Sequence, residues 1–157
     1  MTAETSTAEG AGGIAARQRW MAVLARAGGA ALAARLERLP ALPPHARLRG
    51  PEIGLVMVRG RAGGDGAAFN LGEMTVTRCT VRAADGTLGH ATVAGRDLQQ
   101  AELAAALDAA LQDPEHRPAL LREVVEPLAA AQAEAAERER RKAAATRVQF
   151  FTMANMR

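Results

Sequence analysis

The sequence predicts an α+β fold: N-terminal helices, a mainly antiparallel sheet with an Asp-Gly hairpin, then C-terminal helices and a short apolar tail. Three observations carry this. Apolar residues recur at helical spacing near both ends of the chain. The middle is rich in valine and threonine and alternates in polarity, as a half-buried strand does. Asp85-Gly86 interrupts that alternation with a short-range hairpin signal.

The first helix is expected over Ile14 to Ala27, with Ile14, Trp20, Val23 and Leu24 on its apolar face and Gly28-Gly29 as its stop. A second runs from Ala30 to Leu39, with Leu32, Leu36 and Leu39 on one side. Pro40 and Pro43-Pro44 end it. Met1 to Gly13 consists mostly of alanine, glycine and small polar residues. It is expected to be a disordered tail ahead of a single domain over 14–157.

Strands are expected at Ala46 to Arg49, Ile53 to Gly60, Phe69 to Leu71, Glu73 to Ala83 and Thr87 to Ala94. A two-residue turn centred on Asp85-Gly86 pairs Ala84 with Thr87, Val81 with His90 and Cys79 with Thr92. One face then carries Thr77, Cys79, Val81, Ala83, Leu88, His90 and Thr92, and is expected to be the core side. Cys79 and His90 would lie diagonally on that face. Asp97 is the expected N-cap of the next helix, with Leu98, Leu103, Leu107 and Leu111 as its stripe. A last helical stretch covers Pro118 to Ala145, kinked or split at Pro127. Val148, Phe150, Phe151, Met153 and Met156 then crowd the end, where chains are usually polar. This tail, Phe150, Phe151 and Met153 above all, is expected to dock, either on its own core as a strand or in another chain.

Composition narrows the function classes. The chain has 157 residues, enough for one domain with a real core. Cys79 is the single cysteine, which fits an intracellular, cytoplasmic protein without disulfides. No apolar run is long enough for a membrane span, and residues 1–13 lack the pattern of a signal peptide. The net charge of +3 invites a nucleic-acid reading. Yet Lys142 is the one lysine among 20 basic residues, 17 acidic residues are interspersed, and no stacking aromatics accompany the arginines. No nucleic-acid partner and no membrane partner are expected.

No self-sufficient catalytic constellation emerges. His45, His90 and His116 are scattered, without metal-ligand spacing, so no metal is expected in this chain. The loop Gly63-Gly64-Asp65-Gly66 lies between arginines and a strand, but neither a helix nor GK[ST] follows it. It is not a P-loop, though its backbone N–H groups could cradle an anion. Arg78 and Arg82 share one strand face that could meet an anion or an acidic partner. Arg61, Gly63, Gly64, Arg78, Arg82 and Arg96 are the candidate anion contacts.

Several segments together resemble the PhnG family. Arg17 to Ala25 is similar to its opening helix, and Glu52 to Val56 to its first long strand. The longest likeness runs through Gly63-Gly64-Asp65-Gly66, Phe69, Gly72-Glu73, Thr75 to Arg78, Val81-Arg82, Asp85 to Gly89 and Gly95-Arg96-Asp97. Arg147 to Met153 resembles the closing motif. His90 departs from it, standing where an aromatic is expected. The resemblance implies a subunit of the bacterial carbon–phosphorus lyase system. With PhnH, PhnI and PhnL, such a subunit supports displacement of adenine from MgATP by a phosphonate, giving α-D-ribose 1-methylphosphonate 5-triphosphate. The radical enzyme PhnJ acts later, and the core complex holds two copies each of PhnG, PhnH, PhnI and PhnJ. It implies no catalytic residue and no cofactor in this chain, with MgATP as the substrate of the complex. The alternative is a purely structural adaptor that scaffolds PhnI.

Overall fold

A computed structural model describes residues 4–61 and 66–147, with side chains from Gly13 onward. Helix α1 (Glu4–Leu24) is followed by α2 (Gly29–Leu36) and strands β1 (His45–Gly60), β2 (Phe69–Ala83) and β3 (Leu88–Ala94). Helix α3 (Leu98–Gln112) comes next. A final helical run comprises α4 (Arg117–Leu120), a π-helical turn (Leu121–Val125) and α5 (Glu126–Ala145). The sheet is antiparallel in the order β1-β2-β3. The helices pack against one face of its β2–β3 half. The architecture is α+β, as the sequence predicts.

The core lies between that sheet face and the helices. Trp20, Val23 and Leu24 of α1 meet Leu32 of α2, Leu107 and Leu111 of α3, and Val124, Val125 and Leu128 of the last run. Cys79, Val81, Ala91 and Val93 supply the sheet side. With so few aromatics, close approach replaces bulk. A Cβ at Gly89 would collide with the Ala105 carbonyl of α3, so β3 presses directly on the helix. Alanines on α3 complete this contact: Ala101, Ala104, Ala105, Ala109 and Ala110 are all buried. The expected leucine stripe holds except at Leu98, with Leu103 partly buried against the core. Leu107 and Leu111 are buried, but Leu98 is exposed, because a helix this close to a strand needs methyl-sized side chains on the contact face.

The hairpin register differs from the expected one. Ala83 N donates to Thr87 O and Gly86 N to Ala83 O, so three residues, Ala84 to Gly86, form the loop. Gly86 has φ 91°, the left-handed position of a three-residue loop. Val81 now pairs with Gly89, Thr80 with His90 and Cys79 with Ala91. The one-residue slip turns every β3 side chain over. Gly89, Ala91 and Val93 face the helices, while Leu88, His90 and Thr92 face outward. The β2 assignment of Thr77, Cys79 and Val81 to the core side holds.

Two boundaries also move. Helical backbone begins at Glu4, inside the segment read as a disordered tail, since no proline interrupts residues 4–13 ahead of the packed part of α1. Strands read as separate pieces join into the long β1 and β2. Register shifts near Gly50-Pro51 and at Val58/Arg59 absorb the breaks.

Pro127 has a local solution. Glu126 N donates to Leu121 O across a π turn directly before the proline. Proline removes one N–H and crowds the preceding turn. The wider turn accommodates both within one continuous helical run.

Candidate functional site

Two features of the sheet stand out among the described residues: an outward face without a helical cover, and a ribbon extending beyond the core. The outward face carries Arg78, Thr80 and Arg82 of β2 beside His90 and Thr92 of β3, with Arg49 paired to Thr80 from β1. Arg78 is half-buried. Its guanidinium lies over Gly54, with Nη2 3.8 Å from Glu52 Oε1 and a buried Nε that has no hydrogen-bond partner among the described residues. Arg49 also pairs with Glu52. Arg82 is exposed. This face therefore holds two guanidinium groups at one carboxylate and a third, Arg82, further along β2, and its net charge is positive. It offers bidentate donors to carboxylate or phosphate oxygens.

The other candidates are not gathered there. Arg61 is exposed at the end of β1, and Arg96 is exposed in the turn before α3. No hydrogen bond or ion pair among the described residues joins either to Arg78 or Arg82. Gly63 and Gly64 lie outside the described residues, as do Phe150, Phe151 and Met153.

The histidines are held locally. His45 Nδ1 meets the Pro43 carbonyl, His90 Nδ1 meets Thr80 Oγ1 at 3.1 Å, and His116 pairs with Asp113. Cys79 and His90 lie on opposite sheet faces, so the diagonal pair expected from the two-residue turn does not form. Cys79 Sγ is buried and directed at the Arg49 carbonyl, 3.5 Å away. Burial, helped by the nearby Glu102 carboxylate, pushes its thiol pKa up, which disfavours the nucleophilic thiolate. No cluster of three or more metal-ligating side chains is found among the described residues. No described helix is long and apolar enough to cross a membrane.

Sequence reasoning missed a buried knot around Asp108. This carboxylate is fully buried in α3. It accepts from Arg17 Nε and Nη2, Trp20 Nε1 and His90 N. The signal was a lone Asp set in the Ala/Leu run Leu103–Leu111 of this helix. A cleft of about 480 Å³ opens beside the knot, bordered by Arg17, Arg19, Trp20, Arg117, Leu121 and Val125. Its inner arginines are occupied in holding the fold. Arg17 binds Asp108, and Arg117 donates to the Leu111 and Gln112 carbonyls that end α3.

The ribbon is the second feature. β3 pairs with Val76–Arg82 of β2, so from Met74 outward β2 has β1 as its single strand neighbour among the described residues. Along this two-stranded stretch Ile53, Leu55, Met57, Phe69, Leu71 and Met74 are all exposed.

An arginine-bearing face and an apolar arm are thus the two open features of the sheet among the described residues. A family model described as phosphonate metabolism protein PhnG matches residues 15–155. The chain belongs to the PhnG family. The match includes both sheet features and the Asp108 knot. A curated relative, the α-D-ribose 1-methylphosphonate 5-triphosphate synthase subunit PhnG of Rhizobium meliloti (strain 1021), is 45% identical over 142 residues, covering 90% of each chain. Family membership places the chain in phosphonate metabolism.

Proposed function

We propose that this chain is a subunit of an α-D-ribose 1-methylphosphonate 5-triphosphate synthase and contributes no catalytic residue of its own. The observation that carries the reading is the likeness, over 90% of both chains, to a relative bearing that subunit name. In this reading the complex displaces adenine from MgATP by methylphosphonate, in the cytoplasm. PhnI, PhnH and PhnL are the companions for that step, and PhnJ joins the core complex. The chain itself holds no cofactor. Its part from residue 14 to 157 is one domain.

Arg78 and Arg82 are the foremost candidates for anion contacts, because they share the open sheet face. Arg61, Gly63, Gly64 and Arg96 complete that set. Phe150, Phe151 and Met153 are candidate partner contacts. The test is growth of a strain lacking this chain on methylphosphonate as sole phosphorus source. Growth should be lost and return with the wild-type gene; undiminished growth without it would overturn the reading.

A second reading, a purely structural adaptor that scaffolds PhnI, is favoured by the exposed apolar arm. Arg78→Ala separates the two. Normal assembly with reduced turnover supports a substrate contact, and normal assembly with normal turnover supports the adaptor.

A further inference from the structure

A bulge in β1 aims two of its side chains at one side chain of β2. Arg49 pairs with Thr80 and Glu52 with Arg78, so three residue steps on β1 oppose two on β2. In a regular strand, residues three apart point to opposite faces. The extra residue at Gly50-Pro51 brings both Arg49 and Glu52 onto the outward face beside Arg78. Gly54 completes the arrangement. A Cβ there would stand 3.0 Å from Arg78 Nη2, so the bare backbone leaves room for the guanidinium over β1.

Glu52 serves the two arginines unequally. Its Oε1 lies 2.5 Å from Arg49 Nη2 but 3.8 Å from Arg78 Nη2, past hydrogen-bond range. Arg78 Nε is buried and has no hydrogen-bond partner among the described residues. An under-bonded charged donor is costly, and in a native fold it calls for a physical reason. Two guanidinium groups and one carboxylate also leave one positive charge over. The three side chains are 38–60% exposed, so a ligand can reach them from solvent.

We propose that Arg49 and Arg78 form a clasp for a phosphoryl group, a tetrahedral dianion with three terminal oxygens, and that Glu52 is its resident competitor. This assignment rests on the anion-contact reading of Arg78 and extends it to Arg49 and Glu52. One carboxylate oxygen does not meet both forks in the observed geometry. Three oxygens can give each fork its own acceptor, and two negative charges match two guanidinium groups. A carboxylate ligand, free or on an acidic peptide, brings one charge per group and repeats what Glu52 already supplies. The end of a triphosphate and a free phosphonate share the phosphoryl chemistry, and the two probes below tell them apart.

The full-length chain is titrated by calorimetry with inorganic triphosphate and, separately, with methylphosphonate, each at two salt concentrations. The variants are Glu52→Gln, Arg49→Gln and, as a charge control away from the sheet, Arg122→Gln. Glu52→Gln removes the competing charge and keeps the shape, so it should bind at least about fivefold more tightly than wild type. Arg49→Gln should bind at least about fivefold more weakly, with a shallower salt dependence. Arg122→Gln should bind as wild type does. This ordering with triphosphate alone assigns the clasp to a triphosphate end, and with methylphosphonate alone to a free phosphonate. If the isolated chain does not fold by circular dichroism, the same series is read in the assembled synthase as inhibition of adenine release by each probe, with the same ordering expected. Glu52→Gln binding no tighter than wild type, or Arg122→Gln losing as much as Arg49→Gln, overturns the clasp. So does the absence of binding to both probes in every variant. Arg49→Gln that weakens assembly of the complex, with neither probe bound, gives the pair to an acidic segment of a partner and likewise overturns it. In each of these cases the synthase-subunit reading stands, since that reading fails only if growth on methylphosphonate persists without the chain.

Discussion

Trp20 donates its indole N–H to the fully buried carboxylate of Asp108 at 2.9 Å, tying α1 to α3 across 88 residues of sequence. Arg17 closes on the same carboxylate with two further bonds, and the His90 backbone N–H brings β3 to it. One side chain thus joins three elements. A buried carboxylate is tolerated only when paired and hydrogen-bonded, and this one has both.

Removing Asp108 should be severe. Asp108→Ala leaves the Trp20 indole and the His90 amide without acceptors and the Arg17 charge unpaired. We expect a loss of about 3 kcal/mol in urea unfolding. Asp108→Asn keeps one acceptor oxygen and should cost less. Equal stability of Asp108→Ala and wild type contradicts the assignment.

The contact between β3 and α3 makes a second prediction. Gly89→Ala drives a methyl group into the Ala105 carbonyl, so strand and helix must separate. The expected cost is about 1–3 kcal/mol, read as a lower urea midpoint. Ala84→Gly in the exposed hairpin loop should change stability far less.

Much of this was legible in the sequence, and the register shows where legibility stops. Asp-Gly serves both a two-residue turn and a three-residue loop whose last residue is left-handed. The local residues therefore fix the hairpin but not its register. The arbiter is tertiary. The observed pairing puts Gly89 and Ala91 where α3 needs small side chains, whereas the expected pairing would have buried Leu88 and His90 there. The same contact explains why alanines outrank Leu98 on α3. Asp108 was passed over because nothing near it in sequence announces Arg17 or Trp20 as its partners. Of the site, the shared face of Arg78 and Arg82 was readable from strand alternation. The continuous apolar arm was not, because Gly50-Pro51 and the 58/59 bulge made β1 and β2 look like shorter strands.

The loop itself offers a test of its left-handed position. Gly86 at φ 91° should resist a side chain, so Gly86→Ala is expected to cost about 1 kcal/mol. Thermal melts of the pure chain would read it.

Asp85 should leave a mark on the acid limb of stability. Its carboxylate accepts from both the amide and the hydroxyl of Thr87, which hold its pKa below the ordinary aspartate value. A carboxylate with a depressed folded pKa stabilises fully above its unfolded pKa and loses that contribution as pH falls through the folded one. The deficit of Asp85→Ala relative to wild type should be constant above about pH 5 and shrink below about pH 4. A deficit independent of pH down to about pH 2 would contradict the bond.

Cys79 should be inert in the folded chain. Its burial and raised pKa predict slow alkylation by iodoacetamide at neutral pH, becoming fast in denaturant. Rapid labelling of the native chain would contradict its place in the core.

The central claim is that this chain acts in phosphonate metabolism as a part of a synthase and not by itself. The direct measurement is adenine release from MgATP and methylphosphonate by the reconstituted complex, with and without this chain. The account predicts release only when the chain is present with the other subunits, and none from the chain alone. Full-rate release from the complex lacking it, or adenine release by the isolated chain, would contradict the account.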